Sequence, residues 1–323
     1  TSAAILVGNE IRANIIAGQA VHESFGGVVP ELASRAHQEN IIPVVQTALQ
    51  TAQISLSDLD AIAFTQGPGL MGSLTVGTSF AKALALALDV PLVGVHHMKA
   101  HILAHFIEKE GYEKPDFPFL AMTISGGHTQ IVRVDAHFKM KVIGETIDDA
   151  VGEAFDKSGK MLGLPYPAGP IIDKKAQFGD GNTFTFSKPK VENLNFSFSG
   201  LKTSVLYTVR DIENLTDQIK ADIAASFQQA VIEVLSKKIR KAVEITGRSE
   251  VIIAGGVAAN KALRAAIKNL ESTLGIEVFY PSLKYCGDNA AMIAFVGSLR
   301  SSDKIESQAS YVRARWPLSE LTK

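Results

Sequence analysis

The stretch FLAMTISGGHTQIVRV, residues 119–134, decides the fold. Phe119 to Ile124 read as a buried strand, Ser125, Gly126 and Gly127 as a tight turn, and residues 128–134 as the returning strand. Glycines let the backbone turn sharply and let amide N–H groups approach phosphate oxygens closely. A glycine pair in a hairpin is also an ordinary turn. Working outward, the N-terminus repeats the pattern, with strands at 3–7 and 13–17 around the turn Gly8-Asn9-Glu10. Between the two lies KEGYEKPDFP, residues 109–118, whose charge, proline and glycine mark a linker between lobes.

The rest alternates. A helix is expected at 30–53 with a break near Pro43, a strand at 60–65, a helix at 72–88 and a strand at 91–95. Further on come helices at 149–162 and 219–246, a strand at 251–254, a helix at 259–270, a strand at 277–280 and a helix at 288–299. The tail, 301–323, reads as irregular. This is the order of α/β layers. Two lobes that each open on a hairpin suggest an α/β, two-lobed, actin-like or sugar-kinase architecture with duplicated lobes. The lobes are placed at residues 1–114 with 290–323, and at residues 115–289.

Composition narrows the class. The 323 residues suit two lobes of ordinary size, and 46% hydrophobic with 20% charged residues is normal for a globular chain. A formal net charge of −1 speaks against a globally basic nucleic-acid binder and leaves a local basic face open. One cysteine, Cys286, excludes an internal disulfide. No run of about 18 consecutive apolar residues and no signal peptide is visible, so no membrane span and a cytoplasmic location are expected. Thr1 leads directly towards the apolar run Ile5-Leu6-Val7 without an initiator methionine, as in a chain whose true beginning is missing.

HHMKAHILAH, residues 96–105, holds four of the eight histidines. His97 and His101 are four apart, so on a helix their imidazoles share a face and can reach one divalent metal. Surface histidines on an ordinary helix have the same spacing. His105 continues the stripe and is read as a packing neighbour. Asp288, at the start of the last helix, is either an N-cap or the third metal ligand, since two histidines and a carboxylate leave coordination positions open. Cys286 is placed in the packing. AGGVAAN, residues 254–260, joins a strand to a helix N-terminus, where N–H groups and the helix dipole favour anions. Asn260 offers a donor and an acceptor to a ligand, or simply caps the helix. Asp156 or Asp173 could hold ribose hydroxyls. FSFSGLKT, residues 196–203, reads as a loop packed by two phenylalanines.

Taken in order, GGVVPELASRAH, GPGLMGSL, HHMKAH, SGGHTQ, IDDAVGEAFDK, FSFSGLKT, AGGVAAN and DNAAM, between residues 26 and 292, closely resemble the bacterial TsaD-type tRNA N6-adenosine threonylcarbamoyltransferases, the former glycoprotease family. The resemblance covers nearly the whole chain. It implies the two-lobed actin-like ATPase (ASKHA) fold of sugar kinases, Hsp70 and actin. It also implies transfer of a threonylcarbamoyl group from threonylcarbamoyl-AMP to N6 of the tRNA adenosine just 3′ of the anticodon. The family's metal ligands fall on His97, His101 and Asp288, with one divalent ion, iron (Fe2+) or zinc, held between the lobes. Its adenylate contacts fall on Thr123, Ile124, Ser125, Gly126, Gly127, Asp156, Gly169, Asp173 and Asn260, for threonylcarbamoyl-AMP or ATP. Pro167-Ala168 stands where the family often has Pro-Gly. The family opens with a strand and an acidic loop similar to E-T-S-C-D-E-T, whose last threonine matches Thr1. Were both truly absent, impaired catalysis and a less stable first lobe would follow.

On this reading the metal offsets developing negative charge, the glycine turns position the adenylate and the adenosine amine attacks the carbamoyl carbon. No general base is evident, and His128 is the candidate. The resemblance further implies a paralogous dimerising (TsaB-like) subunit, a small ATPase (TsaE-like) subunit and tRNA as partners. Two other readings are a metallopeptidase and a non-catalytic nucleotide-binding scaffold. HHMKAH lacks the glutamate of H-E-x-x-H that a peptidase uses as base, and a scaffold has no use for an open metal site.

Overall fold

The computed structural model describes residues 1–18, 25–107, 113–300 and 311–318. It divides into two compact units, Thr1–Lys114 with Asp288–Lys323, and Pro115–Gly287. The expected linker lies partly outside the described residues, at 109–112, as does most of the tail, at 301–310 and 319–323. The second crossing comes two residues earlier than expected, so Asp288 and Asn289 belong to the first unit. Local hydrogen bonding explains this. The Asn289 side chain accepts from Met292 N at 3.1 Å and so caps α10 (Ala290–Arg300), which packs on first-unit strands.

The second unit is built on a five-stranded sheet. Its strands are β5 (Phe119–Ile124), β6 (Thr129–Ala136), β7 (Lys139–Glu145), β8 (Glu250–Ala254) and β9 (Glu277–Phe279), in the order β7-β6-β5-β8-β9. All six residues of β5 are buried, as its apolar run requires of a central strand. It pairs antiparallel with β6 through the 125–128 turn and parallel with β8. The parallel pairing needs a long crossover. Here that crossover holds α4 (Val151–Met161), α5 (Gly169–Ala176), α6 (Ser199–Arg210) and the 30-residue α7 (Asp217–Thr246). A short 3-10 turn (Gly256–Ala259) and α8 (Lys261–Leu274) then link β8 to β9, and α9 (Leu283–Cys286) follows.

Sequence reading missed β7. KMKVIGE has few strongly apolar residues, and Gly144 weakens the strand signal. The glycine is there for space: a Cβ at Gly144 would lie 2.3 Å from the Leu194 carbonyl oxygen. The segment expected as a loop at 196–203 also differs. Phe196 and Phe198 are fully buried, but Ser199 already opens α6.

In the first unit, β1 (Ser2–Val7) and β2 (Glu10–Ile16) form an antiparallel hairpin, and β3 (Ile62–Gly67) pairs parallel with β4 (Leu92–His96). Both units thus hold an antiparallel hairpin and a parallel pair. In the second unit β5 joins them, whereas in the first they are separate two-stranded sheets among the described residues. Helix α1 (Pro30–Ala52) runs through Pro43 without the expected break. Pro43 is exposed, so the carbonyl that loses its helical partner faces the solvent side. Helix α2 (Met71–Leu88) is long and apolar enough, at mean hydropathy 1.3, to cross a membrane by length and composition. Its buried residues, Leu74, Thr78, Ala81 and Ala85, instead form one stripe packed on α1 and β3.

The Asp148 carboxylate fastens α6 to the segment before α4. It accepts from Phe198 N at 2.8 Å, Ser199 N at 3.3 Å and the Ser197 and Ser199 hydroxyls at 2.5 and 2.7 Å. Desolvation opposes its ionisation, but these bonds outweigh that and hold the carboxyl below its ordinary value. A carboxyl lowered on folding stabilises above its unfolded pKa, and that contribution is lost as pH falls through the folded value. Asp148→Ala is expected to cost about 1–2 kcal/mol in urea titrations at pH 7. The difference should begin to shrink only below about pH 4, the ordinary carboxyl range, and vanish once pH falls below the lowered folded value. Equal stability of the two proteins at neutral pH would show that α6 needs no such cap.

Candidate metal centre and nucleotide-binding turns

The histidine run starts where β4 ends. All of β4 is buried, and His96 caps α3 (His97–Leu103) by accepting from Met98 N and Lys99 N at Nδ1. The other ring nitrogen of His96 donates to the Trp316 carbonyl at 3.0 Å, which ties the tail segment 311–318 to this corner. His96 is therefore occupied structurally. His97 and His101, one turn apart on α3, stand edge to face with ring centroids 4.7 Å apart. Their Nε2 atoms meet a single oxygen of Asp288, Oδ1, at 3.4 and 3.1 Å. One ligand atom from each of the three residues lies within 4.8 Å of the others. His105 falls in the following 3-10 turn (Ala104–Phe106), where its Nδ1 donates to the Ile102 carbonyl. Cys286 is buried in the second unit beside Arg264 and is no part of this group.

The chemistry of these donors fits a divalent metal. Burial pushes the His101 imidazole below its ordinary pKa, favouring the neutral ring that ligates metals. Desolvation works against the Asp288 anion, but hydrogen bonds from His101 and His97 hold its carboxyl well below the usual range. Its side chain is 79% exposed, so solvent screens both effects and the direction rests on the two close imidazoles. Asn289 makes the α10 cap, so the Asp288 carboxylate is not used for capping. His101 Nδ1 is buried with no hydrogen-bond partner among the described residues.

The nine residues expected to meet an adenylate all lie in the second unit. Thr123 and Ile124, at the end of β5, are fully buried, while Gly126 and Gly127 are exposed in the turn that follows. Ser125 N donates to the His128 carbonyl and His128 N to the Ser125 hydroxyl, which closes that turn. Asp156 on α4 accepts from Ala168 N at 2.8 Å and fixes the entry to α5, where Gly169 sits. Burial raises the Asp156 carboxyl, the backbone bonds opposing. Ala168, the departure from Pro-Gly, fits because Gly159 faces it; a Cβ at Gly159 would stand 2.2 Å from the Ala168 Cβ. Asp173 on α5 accepts from Lys261 N at 3.2 Å with Oδ2, while its Oδ1 is buried without a partner among the described residues. Asn260 caps α8 by accepting from Leu263 N at 2.8 Å. The capping alternative is therefore real for Asn260, and Gly255, Gly256 and the α8 N-terminus lie beside it.

Comparison with known proteins places this arrangement. The family model for TsaD, tRNA N6-adenosine threonylcarbamoyltransferase, matches residues 10–295. The chain belongs to the TsaD family. A tRNA N6-adenosine threonylcarbamoyltransferase of Christiangramia forsetii is 61% identical over 302 residues, 92% of this chain and 88% of that protein. One from Riemerella anatipestifer is 55% identical over 305 residues, 93% and 89% of the two chains. The protein is accordingly an enzyme, a transferase of tRNA modification, and the peptidase and scaffold readings fall away. Among solved structures, HypF from T. kodakarensis superposes with TM-score 0.60 at 17% identity, over 80% of this chain and 44% of that one. Full-length HypF in its phosphate- and nucleotide-bound form gives 0.55 at 14% identity, over 81% and 42%. At such identities the likeness concerns the fold, which is actin-like.

Sequence reading overlooked Gln228. It is 5% exposed in the middle of α7, and its Oε1 accepts from Asn260 Nδ2 at 2.7 Å. With Leu263 N on the other end, both poles of the Asn260 amide are set. Nothing local in SFQQAV marks that glutamine, because its partner is 32 residues away. Gln228→Leu strands a buried donor and is expected to cost about 1–3 kcal/mol in urea unfolding. Unchanged stability would mean the Asn260 amide needs no second anchor.

Proposed function

We propose that this chain moves a threonylcarbamoyl group from threonylcarbamoyl-AMP to N6 of the adenosine 3′ of the tRNA anticodon, with a divalent metal held by His97, His101 and Asp288. The observation that carries the metal assignment is the meeting of both Nε2 atoms on one Asp288 oxygen. Family membership supports the reaction class, and the donor and the exact nucleoside rest on the resemblance. Iron or zinc suits two imidazoles and a carboxylate. When bound, the metal supplies Lewis-acid stabilisation of negative charge on the phosphate or carbamoyl oxygens.

The chain's own residues do the positioning. The backbone N–H groups of Gly126 and Gly127 and of the 255–256 turn are suited to the adenylate phosphate, Ser125 N being spent on closing its own turn. Asp156 and Asp173 are acceptors for ribose hydroxyls, and Asn260 completes that side. The N6 amine attacks the carbamoyl carbon, the carbamoyl C–O bond to phosphate breaks, the N6 proton departs and AMP leaves. Orientation of two bound reactants lowers the barrier without a covalent enzyme intermediate.

His97→Ala, assayed with supplied threonylcarbamoyl-AMP and tRNA, is expected to lower bound metal to a small fraction and to cut turnover by about a hundredfold. Full metal content with full turnover would remove His97 from the centre. A companion His128→Ala variant that keeps wild-type turnover would remove His128 as the base.

A paralogous dimerising subunit is the proposed partner of the first unit. Ile42 on α1, Met71 and Leu86 on α2 and Leu70 just before it are 55%, 54%, 71% and 43% exposed, large apolar side chains on two packed helices that a similar helical face could cover. Leu86→Glu is expected to abolish co-purification with that subunit while the isolated chain keeps its helical content by circular dichroism. Retained pairing would place the interface elsewhere. The small ATPase subunit rests on the resemblance alone, and the cytoplasmic location on the reading of the sequence.

A further inference from the structure

We propose that a cation-rimmed groove of the second unit, at the C-terminal end of α7, binds a backbone phosphate of the tRNA. It rests on tRNA being the substrate. The groove encloses about 440 Å³ and is lined by Arg133 of β6 and by Arg248, which follows α7. Ile143, Leu194 and Ile245 give it apolar walls.

The two arginines differ in their engagements. Arg133 directs Nε and Nη2 at one oxygen of Asp135, at 3.2 and 3.0 Å. Arg248 has its Nε buried and makes no hydrogen bond with it among the described residues. A cation past a helix C-terminus offsets the helix dipole, and a solvated arginine would serve for that. The Arg248 Nε is shut away from solvent, so an incoming oxygen is met by the terminal nitrogens, which also make no hydrogen bond among the described residues. The acceptors that match its planar fork are phosphate and carboxylate oxygens.

The surroundings select phosphate of a polyanion. Asn193 lines the groove, and its carbonyl receives both Lys238 and Lys241, at 2.9 and 3.2 Å. Lys141 stands opposite Arg133 in the β6–β7 register, on the same face of the sheet. Burial chiefly, and to a smaller extent the neighbouring Lys241 and Lys237, pushes the Lys238 ammonium down from its ordinary value. The chain as a whole carries a formal charge of −1, so attraction for a tRNA must come from such local concentrations of cations.

Transfer kinetics of the assembled enzyme on a tRNA transcript, with tRNA binding followed across a KCl series, test this. Arg248→Gln is expected to raise KM for tRNA about tenfold and to make the slope of log K against log salt shallower by about 1. kcat and KM for the adenylate should not move. Arg248→Lys keeps the charge but not the fork, and should keep the slope with a smaller rise in KM. Lys268→Gln removes an exposed charge paired with Glu271 on α8 and should change nothing. Unchanged tRNA KM and slope in Arg248→Gln, or an equal effect from Lys268→Gln, overturns the phosphate contact while wild-type transfer to tRNA still stands. A wild-type chain that fails to modify tRNA would count against the function instead. Should Arg248→Gln not fold, Arg248→Lys paired with Arg133→Gln decides: no change in tRNA KM in either overturns the proposal.

Discussion

The second unit depends on backbone meeting backbone at the end of β5. A Cβ at Gly152 would lie 2.7 Å from the Ser125 carbonyl oxygen and 2.8 Å from Gly126 N. One at Gly255 would lie 2.5 Å from the Ile124 carbonyl oxygen, and Gly255 has φ +94°, a region that favours glycine. Two glycines thus let the start of α4 and the end of β8 close on the 125–127 turn. Gly152 N also donates to the Ser125 carbonyl at 3.2 Å, so the approach is bonded as well as tight. Any side chain at either position would separate these elements and move the turn with them.

From that junction the hydrogen bonds run outward. Asp156 ties α4 to the start of α5, Asp173 ties α5 to α8, and Asn260 ties α8 to Gln228 on α7. Residues suited to a ribose or phosphate are also the residues that hold the helices in register. Such double use narrows what substitution can separate: a change at Asn260 removes a helix cap together with any ligand contact. Gln228 is more informative, since it anchors the Asn260 amide without taking part in the α8 cap.

The first unit solves a smaller problem. Two imidazoles one helical turn apart need a third arm from elsewhere in the chain, and Asp288 provides it across 187 residues of sequence. Asn289 takes the capping of α10, which leaves the preceding carboxylate free to face α3. The boundary between the units falls just before Asp288, so all three donors share one compact unit.

Much of this was legible in the sequence. A continuous apolar run located β5, and helical spacing located α2, α7 and α8 to within a few residues, because apolar patterning directly reflects what is buried. The i, i+4 histidines announced a shared face, and the order of motifs announced the family. β7 escaped because a glycine and lysines blur its alternation. The uninterrupted α1 escaped because whether a proline breaks a helix depends on what its orphaned carbonyl faces. The meeting of Asp288 with His97 and His101, the anchoring of Asn260 by Gln228, and the capture of Lys238 and Lys241 by the Asn193 carbonyl were decided only by tertiary structure. Each joins residues whose partners are distant in sequence or on another element, and local pattern carries no information about partners that chain folding alone brings within 2.7 to 3.4 Å.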